Sequence, residues 1–223
     1  MVRQATQQLL DKDLESLSGK TGATVMEDRR ITRSKLALRN ALIELMETKG
    51  FDAITVNDLC TVANLNRTTF YNHFSTKEEF LESIENQIMD DLEALQKQMQ
   101  GITILDISKA YIAKKPLPFL VNLFEYLQQQ GDFIHAVMGP GGDIRFAPRL
   151  QSAVCTNLIE RILHERYRNS SDPLVGYYVS FYASAYLGII HHWIETGMKE
   201  TPEYMARVAI RMFFIKPGES IKL

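Results

Sequence analysis

With 223 residues, 45 % of them hydrophobic and 23 % charged, the chain is long enough for one large or two small packed domains and too apolar to be disordered throughout. Its net charge of −2 is too small to argue for a nucleic-acid partner, so any such partner must be read from local placement. Residues 29–77 carry Arg29, Arg30, Arg33, Lys35, Arg39, Lys49, Arg67 and Lys77 against Glu44, Glu47, Asp52 and Asp58, while the rest of the chain is acidic. That asymmetry points to an anionic partner for the basic part. Cys60 and Cys155 lie far apart without ligand spacing, which predicts buried free thiols in a reducing, cytoplasmic setting. No run approaches roughly 18 consecutive apolar residues and no signal-peptide pattern opens the chain, so neither a membrane span nor export is expected.

In chain order, residues 1–25 read as an N-terminal extension, compatible with disorder. Leu9, Leu10, Leu14 and Leu17 suit a short amphipathic turn or two before the break Ser18-Gly19-Lys20-Thr21-Gly22. Gly19-Lys20-Thr21 lacks the rest of a phosphate loop, because Leu14 stands where the first glycine belongs and no strand precedes it. Ala37, Leu38, Ala41, Leu42, Leu45 and Met46 predict a helix over 32–49, with Gly50 as its left-handed cap. Thr55 to Asp58 predicts a capping box opening a short helix that ends near residue 63. Asn64-Leu65 is a turn, and Asn66 can cap a helix over 67–73. Ser75 to Glu78 opens a further helix with the stripe Leu81, Ile84, Ile88, Leu92, Leu95 and Met99. Helices are expected over 102–114, 119–130 closed by Gly131, 133–138, 146–168, 173–195 and 202–214. The core side of the 146–168 helix is Leu150, Val154, Leu158, Ile162 and Leu163. No alternating strand pattern appears, and the fold class is all-α.

Two short helices around a tight turn, preceded by a supporting helix, make a helix-turn-helix whose second member can enter a major groove. Arg67 can reach a guanine edge or a phosphate. Thr68 and Thr69 are small enough for close approach, and Tyr71, Asn72 and His73 add hydrogen-bonding groups. Lys77, with the backbone N–H groups opening the next helix, forms a phosphate seat.

The string Asn66-Arg67-Thr68-Thr69-Phe70-Tyr71-Asn72-His73-Phe74-Ser75-Thr76-Lys77-Glu78-Glu79 resembles the recognition-helix signature of the TetR/AcrR transcriptional regulators. Thr55-Val56, Leu59 through Ala63 and the spacing from Lys49-Gly50-Phe51 extend the resemblance over roughly residues 30–85. The resemblance implies a homodimer on a palindromic double-stranded DNA operator. Thr55 and Lys77 would hold phosphates, Arg67, Thr69, Tyr71, Asn72 and His73 would face DNA, and Phe70 and Phe74 would be core. Thr68 departs from the glycine of many members, which bears on the depth of docking. Met138 to Asp143 and Gly188 to Met198 resemble one type of effector domain in the same family, more loosely.

The resulting organisation is an extension (1–25), a three-helix DNA-binding domain (26–80) and a helical-bundle dimerisation and effector domain (81–223). The function expected is a DNA-binding regulator, a repressor released by a small-molecule effector, and the alternative is a TetR-fold co-activator working through a protein partner. Phe119, Phe124, Tyr126, Met138, Tyr178, Tyr182 and Trp193 are candidate effector-pocket residues, though aromatic and Met residues at helical spacing are more often plain core. The 174–194 segment is apolar nearly all round. Its stripe Leu174, Tyr178, Phe181, Ala185, Ile189 and His192, with the last helix, is the candidate dimer surface. His191 and Glu195 share a helix face, but no third ligand accompanies them and neighbouring His191 and His192 diverge by about 100°, so no metal or other cofactor is expected. Without a nucleophile elbow, zinc motif or dinucleotide loop, no enzyme activity is expected.

Overall fold

Helical periodicity resolves into ten helices in a computed structural model that describes residues 22–97, 101–156, 159–160, 167 and 170–214, with backbone alone over 22–28 and 155–156. These are α1 (Gly22–Lys49), α2 (Val56–Val62), α3 (Arg67–Tyr71), α4 (Lys77–Lys97), α5 (Ile104–Ala113), α6 (Pro118–Gln129), α7 (Gly131–Met138), α8 (Phe146–Leu150), α9 (Pro173–Glu195) and α10 (Pro202–Phe214). Among the described residues there is no strand, and the fold is all-α.

Several boundaries differ from the sequence expectation. α1 begins at Gly22, ten residues before Thr32, so the Ser18–Gly22 punctuation ends at the helix rather than well before it. The rest of the expected extension, the Gly19-Lys20-Thr21 triplet included, lies outside the described residues. Gly50 does take a positive φ of 77°, but with ψ 151°, so the chain leaves α1 extended rather than through a left-handed cap. α3 ends at Tyr71 instead of residue 73. Gly131 opens α7 instead of closing α6 as a separate break. The long helix expected from residue 146 is α-helical to Leu150, π-helical over Gln151–Thr156, and α-helical again at Ile159, Glu160 and Tyr167. Leu158, Ile162, Leu163 and Met99 fall outside the described residues, as does the side chain of Cys155.

The chain divides into two compact units. The first gathers residues 1–84 and 132–143, and the second 85–131 and 144–223. These contact-defined units divide α4 at 84/85 and group residues 132–143 with the first unit.

In the first unit, Leu38, Leu42, Leu59 and Phe70 are fully buried, each side chain stabilising the fold by roughly 1.5–3 kcal/mol. Phe70, Phe74 and Phe80 form an aromatic cluster with centroids 4.8–5.9 Å apart. The 132–143 segment contributes fully buried Phe133, Ile134 and Val137. It is tied in by Phe51 N–H donating to the Gly141 carbonyl at 2.7 Å, by the Arg39 guanidinium 5.2 Å from the Phe133 ring, and by His135 Nδ1 3.3 Å from Glu47 Oε1.

In the second unit, α10 packs against α6 and α5, and α9 packs against the π-helical segment. Trp193 is buried edge-on to Phe124 at 5.5 Å and donates its Nε1–H to the Glu200 carbonyl at 3.1 Å. Tyr186 donates its hydroxyl to the Ala209 carbonyl at 2.7 Å, which keeps a buried polar group satisfied. Arg149 meets buried Glu85 at 2.7 Å. α9 is long and apolar enough to cross a membrane. Its buried residues Ala183, Tyr186, Ile190, Trp193 and Ile194 nevertheless follow one stripe, the pattern of a helix laid on a core.

Candidate nucleic-acid interface

Local chemistry builds the two short helices. Thr55 caps α2 by accepting from Asp58 N–H at 3.1 Å, and the Asp58 carboxylate accepts in return from Thr55 N–H at 2.8 Å and its hydroxyl at 2.7 Å. Lys49 adds an ion pair to Asp58 at 2.6 Å. The Lys49 bond, with those from Thr55, lowers the Asp58 pKa from 3.8 to about 2. The turn between the helices places Asn64 at φ 52°, a left-handed conformation that asparagine tolerates. Leu65 N–H reaches back to the Cys60 carbonyl at 2.9 Å, and Asn66 Oδ1 caps α3 by accepting from Thr68 N–H at 2.9 Å.

α3 has two sides. Phe70 faces inward and is fully buried, while Arg67, Thr68, Tyr71 and Asn72 are exposed together. Arg67 has no hydrogen-bond or ion-pair partner among the described residues. Tyr71 stands edge-on to Phe70 at 5.6 Å, a contact that orients its ring. Thr69 and His73 are half-buried at the flanks. Arg29, Arg30, Arg33 and Lys35 stand on α1 of the same unit, all four exposed, and Lys35 Nζ lies 5.9 Å from the Phe74 ring. Cys60 is buried, and burial pushes its thiol pKa up against the opposing charge of Arg67, an inert setting for a thiol.

The expected phosphate seat at α4 is engaged within the protein. Lys77 Nζ donates to the carbonyls of Phe51 at 2.9 Å and Asp52 at 3.0 Å, and lies 4.7 Å from the Phe51 ring. Ser75 N–H donates to Glu79 Oε2 at 2.7 Å, and Glu79 N–H donates to Thr76 Oγ1 at 3.1 Å. Thr55, expected at a phosphate, likewise spends its hydroxyl on Asp58. Sequence reading anticipated the Thr55–Asp58 capping box but missed the Lys77 bonds, because those run from a side chain to backbone 25 and 26 positions away in the chain.

The second unit carries an apolar chamber, partly open to solvent, with about 30 Å³ of free space, room for one or two water-sized groups. Of the expected pocket residues, Phe119 and Phe124 line it. Trp193 packs behind Phe124 as core. Tyr126 instead donates to Asp91 Oδ2 at 2.9 Å. Met138 belongs to the first unit and is not part of the chamber. Tyr178 and Tyr182 are not chamber residues either. They stack 4.6 Å apart, with Tyr182 running on to Phe213 at 5.4 Å, and burial, with Tyr182 alongside, raises the Tyr178 pKa. Tyr186, Ile190 and Phe213 are among the other lining residues and were not anticipated. The spacing of Tyr186 and Ile190 with Trp193 along α9 was the available signal.

Two cap-defined helices across a tight turn, an outward face of hydrogen-bonding side chains and a separate helical unit with an apolar chamber define a helix-turn-helix transcriptional regulator. Comparison with known proteins agrees. Residues 38–84 match the family described as "Bacterial regulatory proteins, tetR family", and residues 114–214 match "Transcriptional regulator C-terminal region" of the same group. The HTH-type transcriptional regulator YxbF of Bacillus subtilis (strain 168) is 24 % identical over 198 residues, 88 % of this chain and 48 % of that protein, so the chain spans about half the length of this curated relative. A TetR transcriptional regulator from Streptococcus agalactiae 2603V is similar in structure, with a TM-score of 0.51 at 25 % identity over 85 % of this chain and 98 % of that one. The fatty acid degradation regulator FadR from Bacillus halodurans shares the fold, with a TM-score of 0.56 at 15 % identity over 80 % of this chain and 93 % of that one. The chain belongs to the TetR family of transcriptional regulators.

Proposed function

We propose that this protein is a cytoplasmic repressor that binds a palindromic operator as a homodimer and is released by an apolar small molecule. The observation that carries the reading is the face of α3. Its buried Phe70 pins the helix, leaving Arg67, Thr68, Tyr71 and Asn72 outward, and Arg67 is free to donate in pairs to a guanine edge. The exposed stripe of α9 supports the dimer. Leu174, Tyr177 and Phe181 are 71 %, 75 % and 68 % exposed, and large apolar side chains left uncovered in one row mark an interface. A second copy on that row makes an isologous contact and sets two recognition helices about one helical turn apart, roughly 34–36 Å. The effector enters the chamber by widening it, a minor conformation made dominant by the ligand. α4 is shared by both units, so a ligand that favours another setting of α4 biases the spacing of the reading heads.

The test is selection of bound duplexes from a random pool, followed by titration of the selected duplex with Arg67→Ala and Arg67→Ala/Tyr71→Ala proteins. A palindromic consensus is expected, with Arg67→Ala costing about 1–3 kcal/mol. A pool that yields no enriched duplex, or a double variant that binds as wild type does, overturns DNA reading by α3 and leaves the co-activator that works through a protein partner.

A further inference from the structure

A groove of about 530 Å³ opens in the second unit between the end of α5 and α10. Only Ile210 borders both this groove and the apolar chamber. Four cations stand around it, Lys114, Lys115, Arg207 and Arg211, and no carboxylate is among its described lining residues. Glu203, one turn before Arg207, is the acid that feels Arg207, and it is solvent-exposed. Four gathered like charges repel one another, a cost that an anion bound among them offsets.

The two arginines are held ready. Arg207 and Arg211 lie one turn apart on α10, their guanidinium carbons 5.6 Å from the Tyr204 ring and 5.5 Å from the Tyr111 ring. Arg211 also donates to the Tyr111 hydroxyl. Stacking on a ring restrains a guanidinium while its in-plane N–H groups keep the geometry for phosphate. The walls beside the charges are apolar, Ala110, Ile112 and Ile210, and Ile112 is 80 % exposed. A bare anion has no use for those walls, and a neutral apolar molecule has no use for four cations. The volume lies in the range of ligand sites, about 300–1,000 Å³.

We propose that this groove binds a small organic phosphate, its head among Arg207, Arg211, Lys114 and Lys115 and its planar or alkyl body against Ile112, Ile210 and the tyrosine rings. The site does not depend on DNA binding, and the test reads ligand binding alone. The full chain is titrated calorimetrically at low salt with adenosine monophosphate, hexyl phosphate and inorganic phosphate. One of the two organic phosphates should bind one per chain at least about tenfold tighter than inorganic phosphate, a difference of one decade in Kd. Which one binds tells a nucleotide from a lipid-like ligand. Binding should weaken by about tenfold or more in Lys114→Glu/Lys115→Glu protein and in Arg207→Gln protein, both with unchanged helical content, and should weaken with added salt. Organic phosphates that bind no tighter than inorganic phosphate, or variants that bind as wild type does, overturn the proposal.

Discussion

Replacing Lys77 by methionine separates two roles for one side chain. The aliphatic stem survives the change, and what disappears is the ammonium with its bonds to the Phe51 and Asp52 carbonyls at 2.9 and 3.0 Å and its place beside the Phe51 ring. The side chain is only 16 % exposed, so solvent discounts little of the loss at Phe51, while the Asp52 carbonyl regains water. Two bonds from a charged donor, one of them partly re-solvated, amount to about 2–3 kcal/mol. For a chain of this size each kcal/mol moves the melting temperature by roughly 2–4 °C, so Lys77→Met should melt roughly 4–12 °C lower by calorimetry. On a selected duplex, the dependence of log K on log salt should keep its slope, because no phosphate contact has been removed. If Lys77 instead serves as a phosphate ligand, the variant will melt like wild type and the slope will fall by about one. That outcome refutes the reasoning.

Because the folded-state pKa of Asp58 is lowered from 3.8 to about 2, its contribution to stability is complete above pH 4 and is lost as pH falls towards 2; urea midpoints measured across that window should fall less steeply in Asp58→Asn protein than in wild type. Thr55→Ala removes the side-chain cap of α2 and should cost about 1 kcal/mol, measured as a shift in the same midpoint at neutral pH. Gly142→Ala places a methyl group against the Val137 carbonyl and 2.7 Å from the Ala136 carbonyl oxygen, and should lower stability by about 1–3 kcal/mol or more, read by chemical denaturation. Phe181→Glu puts a charge in the exposed row of α9 and should give a folded monomer in sedimentation velocity with sharply reduced operator affinity; a dimer of normal affinity would place the interface elsewhere.

What was legible in the sequence was mostly local. The caps at Thr55 and Asn66, the turn at Asn64 and the buried side of α3 depend on residues within four positions of one another, and those signals survive folding unchanged. The start of α1 was misplaced because a helix can run through Arg29, Arg30 and their polar neighbours without an apolar stripe, so periodicity is silent there. The π-helical stretch after Leu150 keeps its apolar residues and changes only the hydrogen-bond register, which no composition reports. Thr55 and Lys77 were expected at phosphates through the family resemblance, and the bonds they make within the protein, to Asp58 and to the Phe51 and Asp52 carbonyls, depend on tertiary placement that a motif match does not report. Pocket residues chosen for being aromatic or Met mixed five destinations: chamber wall (Phe119, Phe124), core (Trp193), a hydrogen bond to Asp91 (Tyr126), an aromatic stack (Tyr178, Tyr182) and the other unit (Met138). Helical spacing tells that a face is covered and does not tell by what.

The first unit is assembled from two separated stretches of chain, and that bears on the order in which the protein is made. Residues 1–84 leave the ribosome without Phe133, Ile134 and Val137, which are fully buried in the finished unit, and without the Gly141 carbonyl that receives Phe51 N–H. At about 5–20 residues per second, several seconds of synthesis separate the end of the first stretch from the arrival of the second. During that interval the reading head has its caps and its phenylalanine cluster but an open socket, so a nascent chain stalled in α5 or α6 would display apolar surface. A fragment cut after residue 84 would remain in that unfinished state permanently, and a minimal DNA-binding protein derived from this chain needs residues 132–143 grafted back onto it.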